Sequence, residues 1–539
     1  MYLLENPVLQ RELLVNLRRP RSFAVLFAYV AFLGAVVLAA WPESRKIDMT
    51  NPEAARRLVG MFFLGQYVLA LLLAPSLGAG AIAGEKERKS YEMLLASPLK
   101  PVAIVLGKLL AALCFVSVLL AASVPIVMLC LPLGGVSFYE VLVLYWALLW
   151  TVLTSGMISI AASSYFGRTA AALVVAYLLI LPLALAGIGI WTALEHNPAG
   201  RLSLAAVVLP IVCAPLCIVL LLLVSRRLLY PPDVGSEGKE VVDEEQEFRH
   251  AVGMVIQRDA FPDRLFAPPK RTDLLPDDAN PVYDKEMRSE VFSQGTLMLR
   301  LVIQVSLGLS LPLMARCLYF FPQEVPWYVS YCLLFNMLVG PVFSAGSITN
   351  ERERQTLDLL LVTTLSPWQI VGGKLLAGLR VSGVLTAFLL WPLILACLMV
   401  SYYWTQLPTV AGYLVVVVVT CWTTATAAQL CSVLFRKTVV SLTVSFLVLA
   451  VLFAGVPAMR LFVGAFYPNS SILSVASELG FLSPFSTLFD LPLAADAPTS
   501  EPLAGHWGGW FRFVLFYIAL NLAMLVAMLR LFARRRLGE

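Results

Sequence analysis

The chain has 539 residues, of which 59% are hydrophobic and 14% charged, with a formal net charge of +5 at neutral pH and a mean hydropathy of +0.82. Soluble domains carry roughly a quarter of their residues as charges, so this composition excludes a water-soluble enzyme or binding module. It points to an all-α, polytopic protein whose main solvent is lipid.

In chain order, the N-terminus opens MYLLENPVLQREL, a charged lead with no small-residue cleavage site behind it, so no removable signal peptide is expected. Runs such as SFAVLFAYVAFLGAVVLAA from Ser22 reach the ~20 apolar residues that a helix needs to cross a ~30 Å hydrocarbon core. Helices satisfy their own backbone there. Spans are expected near 22–41, 58–83, 102–132, 139–164, 169–193, 201–224, 296–321, 327–348, 368–401, 408–434, 438–465 and 511–533, about twelve crossings in all. With a cytosolic N-terminus, alternation puts Arg18, Arg19, Arg21, Lys86, Arg88, Lys89, Arg168, Arg226, Arg227, Arg352, Arg354, Arg436, Lys437 and the basic run 534–536 inside. That agrees with the positive-inside rule; Arg56 and Arg57, left outside, fit it least. The nine cysteines all fall within or beside apolar runs, which implies no disulfide framework. Cys213 and Cys217 share a helix face without a neighbouring His or acid, so they read as packing residues, and no metal is expected. His196, His250 and His506 are scattered and suggest no site.

An internal repeat organises the chain. GAIAGEKERKSYEMLLASPLKPVAIVLGKLLA from Gly80 aligns without a gap on GSITNERERQTLDLLLVTTLSPWQIVGGKLLA from Gly346, with about half the positions identical. Upstream, NPVLQRE from Asn6 matches NPVYDKE from Asn280; downstream, FGRT from Phe166 resembles FRKT from Phe435. Each half therefore reads as an amphipathic lead, two spans, a cytosolic segment and four more spans. The domains expected are a first half over 1–224, a linker over 225–295 that includes the start of the second lead, and a second half over 296–539. Parallel repeats place a pseudo-two-fold axis along the membrane normal and a pathway between the halves. The linker is polar, proline-rich and acidic, as in GSEGKEVVDEEQEF, and reads as a solvated spacer.

The repeated cytosolic segment, here termed the handle, is unlike an ordinary connection. Glu85, Lys86, Glu87, Arg88 and Lys89 before Tyr91, Met93, Leu94 and Leu95 read as a short helix with a charged start and an apolar continuation. In the second copy Asn350 is expected to cap this helix, with Glu353 at the capping-box position. Pro101 and Pro367, the latter behind Ser366, suit the first turn of the next span. Such a helix can receive a push from a soluble partner or lie on the membrane surface with a solvated charged face. Its duplication favours the first reading, since a two-fold partner needs two matching grips.

The handles closely resemble the signature of type-2 ABC exporter permeases, G-E-x-E-x-G-T-[LM]-[ED]-x-L-L-x-[ST]-P after the second span. In that family each six-helix half begins with an amphipathic connecting helix, and the resemblance assigns this role to the two leads. In the first, Asn6 acts as cap, Pro7 takes the first helical position and Arg11 lies in the helix; in the second, Asn280, Pro281 and Lys285 correspond. It also implies that Glu85, Lys86, Glu87, Arg88 and Glu92, with their counterparts Glu351, Arg352, Glu353, Arg354 and Asp358, contact ATPase subunits. Departures fall at the Gly-Thr positions, occupied in part by Ser90 and Gln355, at Asn350 in place of Gly84 and at Thr364 in place of Pro98. The second handle is therefore expected to bind its partner differently.

No G-x-x-x-x-G-K-[ST] loop occurs, because Gly107-Lys108 and Gly373-Lys374 are followed by leucine. The resemblance thus implies a permease subunit, not itself an enzyme, that serves an exporter with two separate ABC ATPase subunits. ATP and Mg would be bound on those partners. Proton or sodium coupling usually needs acids at the midplane, and an intramembrane enzyme needs a catalytic set; neither is visible. An ATPase-coupled scaffold that moves no solute is the alternative, with a secondary transporter behind it. Gln66, Gln304, Asn336, Gln429 and Asn521 read as hydrogen-bonding glue between spans. The stretch 467–510 has no counterpart in the first half and is expected to form re-entrant or interfacial helices, with a structural role or as an extracytoplasmic partner dock. Lipids are expected partners and nucleic acid is not; the expected location is the cytoplasmic membrane, with both termini cytosolic.

Overall fold

The computed structural model describes residues 7, 9–11, 20–39, 53–87, 90–131, 136–167, 169–194, 197–229, 276, 279–288, 304, 308, 310–467, 471–491 and 504–536. They are helical, with no strand among the described residues. The chain divides into two units, Met1–Val234 and Gly235–Glu539.

In the first unit the helices are α1 (Pro20–Ala39), α2 (Glu53–Glu87), α3 (Tyr91–Leu95), α4 (Pro101–Cys130), α5 (Phe138–Tyr165), α6 (Thr169–Ala193) and α7 (Pro198–Leu229). α2 lies at the centre and packs on α4, α5 and α6. Small residues allow the close approach: a Cβ on Gly78 would stand 2.9 Å from Ser159 Cβ, and one on Gly156 would stand 2.5 Å from a Leu113 methyl. α2 contains Pro75, which removes one rung of its hydrogen-bond ladder. Neighbouring helices meet polar atoms of that turn, since Ser159 Oγ donates to Pro75 O at 2.7 Å and Tyr177 Oη to Leu72 O at 2.7 Å.

In the second unit the helices are α8 (Pro281–Arg288), α9 (Val325–Ala345), α10 (Thr349–Glu353), α11 (Leu357–Val362), α12 (Pro367–Met399), α13 (Tyr402–Thr405), α14 (Leu407–Leu434), α15 (Thr438–Phe466), α16 (Ser471–Glu478), α17 (Pro484–Asp490) and α18 (Ala504–Arg536). α9 takes the place of α2, with Pro341 where α2 has Pro75, and packs on α14, α12 and α15. Its contact with α14 is polar. Asn336 donates to Thr386 Oγ1 at 3.0 Å and accepts from Thr424 Oγ1 at 2.9 Å, while Asn521 joins Thr423 and Thr426. Asn336 and Asn521, read as glue, serve as glue here, because lipid offers no competing partner, whereas Gln304 is exposed.

Ten helices among the described residues are long and apolar enough to cross a membrane, or eleven if the bent pair formed by 471–482 and 484–490 counts as one. Of the twelve expected spans, the first appears as the 20-residue helix α1 and is not among the ten. The one near 296–321 lies mostly outside the described residues. The bent pair turns by 101° and falls in the stretch 467–510. It packs against its own bundle: Ser483 Oγ donates to Phe453 O at 2.5 Å, Tyr517 Oη to Leu482 O at 2.7 Å and Tyr413 Oη to Leu491 O at 2.6 Å.

Candidate functional site

The handles differ from the expected single helix with a charged start. In the first unit Glu85, Lys86 and Glu87 are the last turn of α2, and the handle's own helix, α3, starts only at Tyr91. The span thus carries its apolar ladder straight into the charged residues. In the second unit α9 ends at Ala345, a turn follows, and α10 holds Glu351, Arg352 and Glu353 before α11. Asn350 is not the cap that the sequence suggested. It lies inside α10, and its Oδ1 stands 2.9 Å from Thr438 Oγ1.

A serine reaches the matching turn in each unit. Ser163 Oγ accepts from the backbone N–H groups of Ile82 (3.0 Å) and Ala83 (2.7 Å); Ser432 Oγ accepts from those of Ile348 (2.9 Å) and Thr349 (3.0 Å). Both serines are buried, and buried amides left unpaired would cost about 1–3 kcal/mol each.

The charged side chains then repeat a single pattern. Glu85 takes Lys108 Nζ at 3.2 Å and the Ser90 hydroxyl; Glu351 takes Lys374 Nζ at 3.1 Å and the Thr356 hydroxyl. Lys86 donates to the carbonyls of Ser164 (2.6 Å) and Phe166 (3.3 Å), whereas Arg352 donates to those of Val433 (2.7 Å) and Phe435 (2.5 Å). Glu87 accepts from the backbone N–H and hydroxyl of Thr169 at 3.0 and 3.2 Å. Glu353 accepts from the Thr438 N–H at 3.1 Å, and its second oxygen lies 3.1 Å from that residue's hydroxyl. Thr169 and Thr438 open the next span in each unit, so the acids sit where helix N-termini favour negative charge.

Glu85, Lys86, Glu87, Glu351, Arg352 and Glu353 thus each hold the handle to its own unit. Arg88 lies outside the described residues. Glu92, Arg354 and Asp358 are exposed. The surface offered outward is an acid followed by an apolar side chain: Glu92 with Met93 on α3, and Asp358 with Leu359 on α11, where Val362 is 85% exposed one turn on. The opposite face of α11 anchors it, because Leu357, Leu360 and Leu361 pack on a core that includes Ile348, Val371, Val433 and Phe532. Burial also pushes the Tyr91 phenol of α3 up from its ordinary value.

The joint before α11 is strained. Gln355 has φ of 59°, and among the described residues it alone is a non-glycine at positive φ. A side chain there costs roughly 1–2 kcal/mol relative to glycine. This is where the signature has its glycine.

The second lead forms α8 as its NP start suggests. Asn280 Oδ1 accepts from the N–H groups of Val282 (3.0 Å) and Tyr283 (3.3 Å), and its amide donates to Gln369 O at 2.8 Å. Pro281 is exposed at the first helical position. Contact with α12 needs Gly373, where a Cβ would stand 2.9 Å from Asn280 Nδ2. α8 is also tied by charge: Lys374 bonds Glu286 as well as Glu351, Lys285 reaches Glu351 at 3.1 Å, and Arg380 donates to Tyr283 Oη at 2.8 Å. The Lys374 side chain is only 2% exposed, so two carboxylates meet one buried ammonium. In the first lead Asn6 lies outside the described residues, while Pro7 and Arg11 are helical and exposed.

Sequence reasoning passed over Lys108 and Lys374, weighing them only against a phosphate loop. The signal was their identical place in both repeats, as it was for Thr169 and Thr438 in FGRT and FRKT. Ser163 and Ser432 lie just upstream of those motifs and stand out only once the spans are paired.

Two family models, each described as ABC-2 family transporter protein, match the chain, one over residues 216–537 and the other over 38–224. No curated protein and no solved structure matches it. Repeated handles, two helical units and matches that together run from 38 to 537 agree: the chain belongs to the ABC-2 family of transporter proteins, as a membrane permease.

Proposed function

We propose that the chain is the membrane subunit of an ATP-driven exporter that supplies both permease halves and receives two separate ATPase subunits, one on each handle. The observation that carries this reading is the common construction of the handles. Each is braced by a Glu–Lys pair and a serine, and each turns an acid and an apolar side chain outward in the same register. A lipid-facing surface helix would not need to be fastened to two spans, whereas one that transmits force does.

Docking falls on Glu92 and Met93 in the first handle and on Asp358, Leu359 and Val362 in the second, flanked by Arg354. The partner's complement is an apolar pocket rimmed by basic groups. Lys86, Arg226, Arg227, Arg352, Arg354, Arg436 and Lys437 crowd the handle end of the spans, which supports placing that end in the cytosol of a cell whose cytoplasmic membrane holds the protein. ATP and Mg belong to the partners, which would draw the handles together on nucleotide binding and shift the permease between its access states. The bent pair of α16 and α17 then lies on the extracytoplasmic side.

The test is affinity purification of the intact chain in mild detergent, followed by the paired variant Met93→Asp with Leu359→Asp. A P-loop protein should co-purify with the unmodified chain and be lost from the variant, while the variant keeps its thermal stability. Equal recovery from both would remove the handles from the docking role.

A further inference from the structure

The two units finish one helix end differently. In the second, among the described side chains Arg352 alone serves the C-terminus of α14, with two bonds to the carbonyls of Val433 and Phe435. In the first, two cations serve the C-terminus of α5. Lys86 Nζ meets Ser164 O at 2.6 Å and Phe166 O at 3.3 Å, and Arg227 Nε meets the same Ser164 O at 3.2 Å. A helix C-terminus offers roughly half a negative charge, so one cation is matched there and two leave a surplus.

Nothing else among the described residues neutralises that surplus. Neither Lys86 nor Arg227 pairs with a carboxylate, and the acids nearest in the chain are turned elsewhere, Glu85 to Lys108 and Glu87 to Thr169. The terminal amino groups of Arg227 make no hydrogen bond among the described residues, which leaves a planar fork suited to a phosphate. Two aromatic rings flank the pair: the Arg227 guanidinium stands 4.0 Å from the Tyr165 ring centre and Lys86 Nζ stands 5.5 Å from that of Tyr91. The second unit has Leu434 and Leu357 at the corresponding places in the repeat.

The depth of the pair identifies the anion. Lys86 and Arg227 lie at the very ends of the spans 58–87 and 198–229. Directly before Arg226 and Arg227, α7 exposes Ile218, Val219, Leu222 and Leu223, an apolar face fit for acyl chains. An anion held there would meet hydrocarbon on one side and water on the other. We propose that Lys86 and Arg227 bind the phosphate of an anionic phospholipid at the headgroup level of the first half. This inference rests on the membrane spans alone and stands apart from any ATPase partner.

The experiment places the full chain in nanodiscs of phosphatidylcholine, with or without phosphatidylglycerol, and measures the lipid retained after extraction into detergent by native mass spectrometry. The unmodified chain should retain phosphatidylglycerol over phosphatidylcholine. Arg227→Gln should lower that preference by about fivefold, Tyr165→Leu should lower it in part, and Arg227→Lys, which keeps the charge, should hold most of it. Exposed Arg226→Gln serves as the control for general surface charge. An equal loss from Arg226→Gln and Arg227→Gln, or no preference in the unmodified chain, would overturn the site. Displacement of the lipid by inorganic phosphate at matched concentration would assign the pair to a soluble anion and overturn the lipid reading. Should Arg227→Gln fail to fold, Tyr165→Leu and Arg227→Lys carry the comparison.

Discussion

The first and second handles share their fastenings and differ in their joints. Glu85 with Lys108 and Glu351 with Lys374 occupy matching places, as do Ser163 and Ser432, and Lys86 and Arg352. Between the span and the short helix, however, the first unit runs α2 unbroken to Glu87, while the second breaks after Ala345; both then close with the same backbone bond, Ser90 N–H to Glu85 O at 3.0 Å and Thr356 N–H to Glu351 O at 2.9 Å. The comparison teaches that charge and hydroxyl positions define this device, whether or not the span breaks before it.

The strongest way to break the comparison is at the buried ammonium. Lys374→Met removes the cation that Glu286 and Glu351 share, leaving Glu351 the exposed Lys285, and should cost about 3 kcal/mol, read as an early thermal transition of the purified chain. Adding Glu286→Gln and Glu351→Gln should recover more than half of that loss; if the triple variant is no more stable than Lys374→Met, the network does not hold α8 and the handle together. Next come the serines. Ser432→Ala orphans the amides of Ile348 and Thr349 and should cost about 2 kcal/mol, with faster amide hydrogen exchange there; Ser163→Ala should cost less, because Ile82 and Ala83 lie inside unbroken α2. A smaller change of opposite sign sharpens the difference between the joints: Gln355→Gly should stabilise the second handle by about 1 kcal/mol, whereas Gln355→Val should destabilise it, both read by proteolysis near that residue. Least of all, Met93→Ala and Leu359→Ala should alter stability by under about 0.5 kcal/mol, since these side chains are exposed; a larger change would mean that they pack on this chain and leave no free face.

Much of this was legible in the sequence. Ten of the expected spans, the repeat and the proline starts of α4 and α12 follow from hydropathy and local geometry, which the neighbouring chain does not alter. The direction of the charged side chains was not legible. A run such as Glu85 to Lys89 suits solvent and inward bracing equally well, and the choice depends on Lys108, Ser164 and Thr169, residues brought from other spans. Asn350 failed as a cap for a related reason: a turn after Ala345 moved the helix start, and Thr438 took its side chain. The bent pair of α16 and α17 was expected only in outline, because a break held by Ser483 and Tyr517 is a tertiary event.

Lys374 carries a last consequence. One ammonium on α12 grips Glu286 of α8 and Glu351 of α10, so three elements with separate starts in the chain share a single rivet. With the Lys285–Glu351, Arg380–Tyr283 and Asn280–Gln369 bonds beside it, the three cannot drift apart without baring a charge. A load applied to α11 would therefore reach α8 through Glu351 and Lys374, and the lead that precedes the second half would turn as the short arm of a lever.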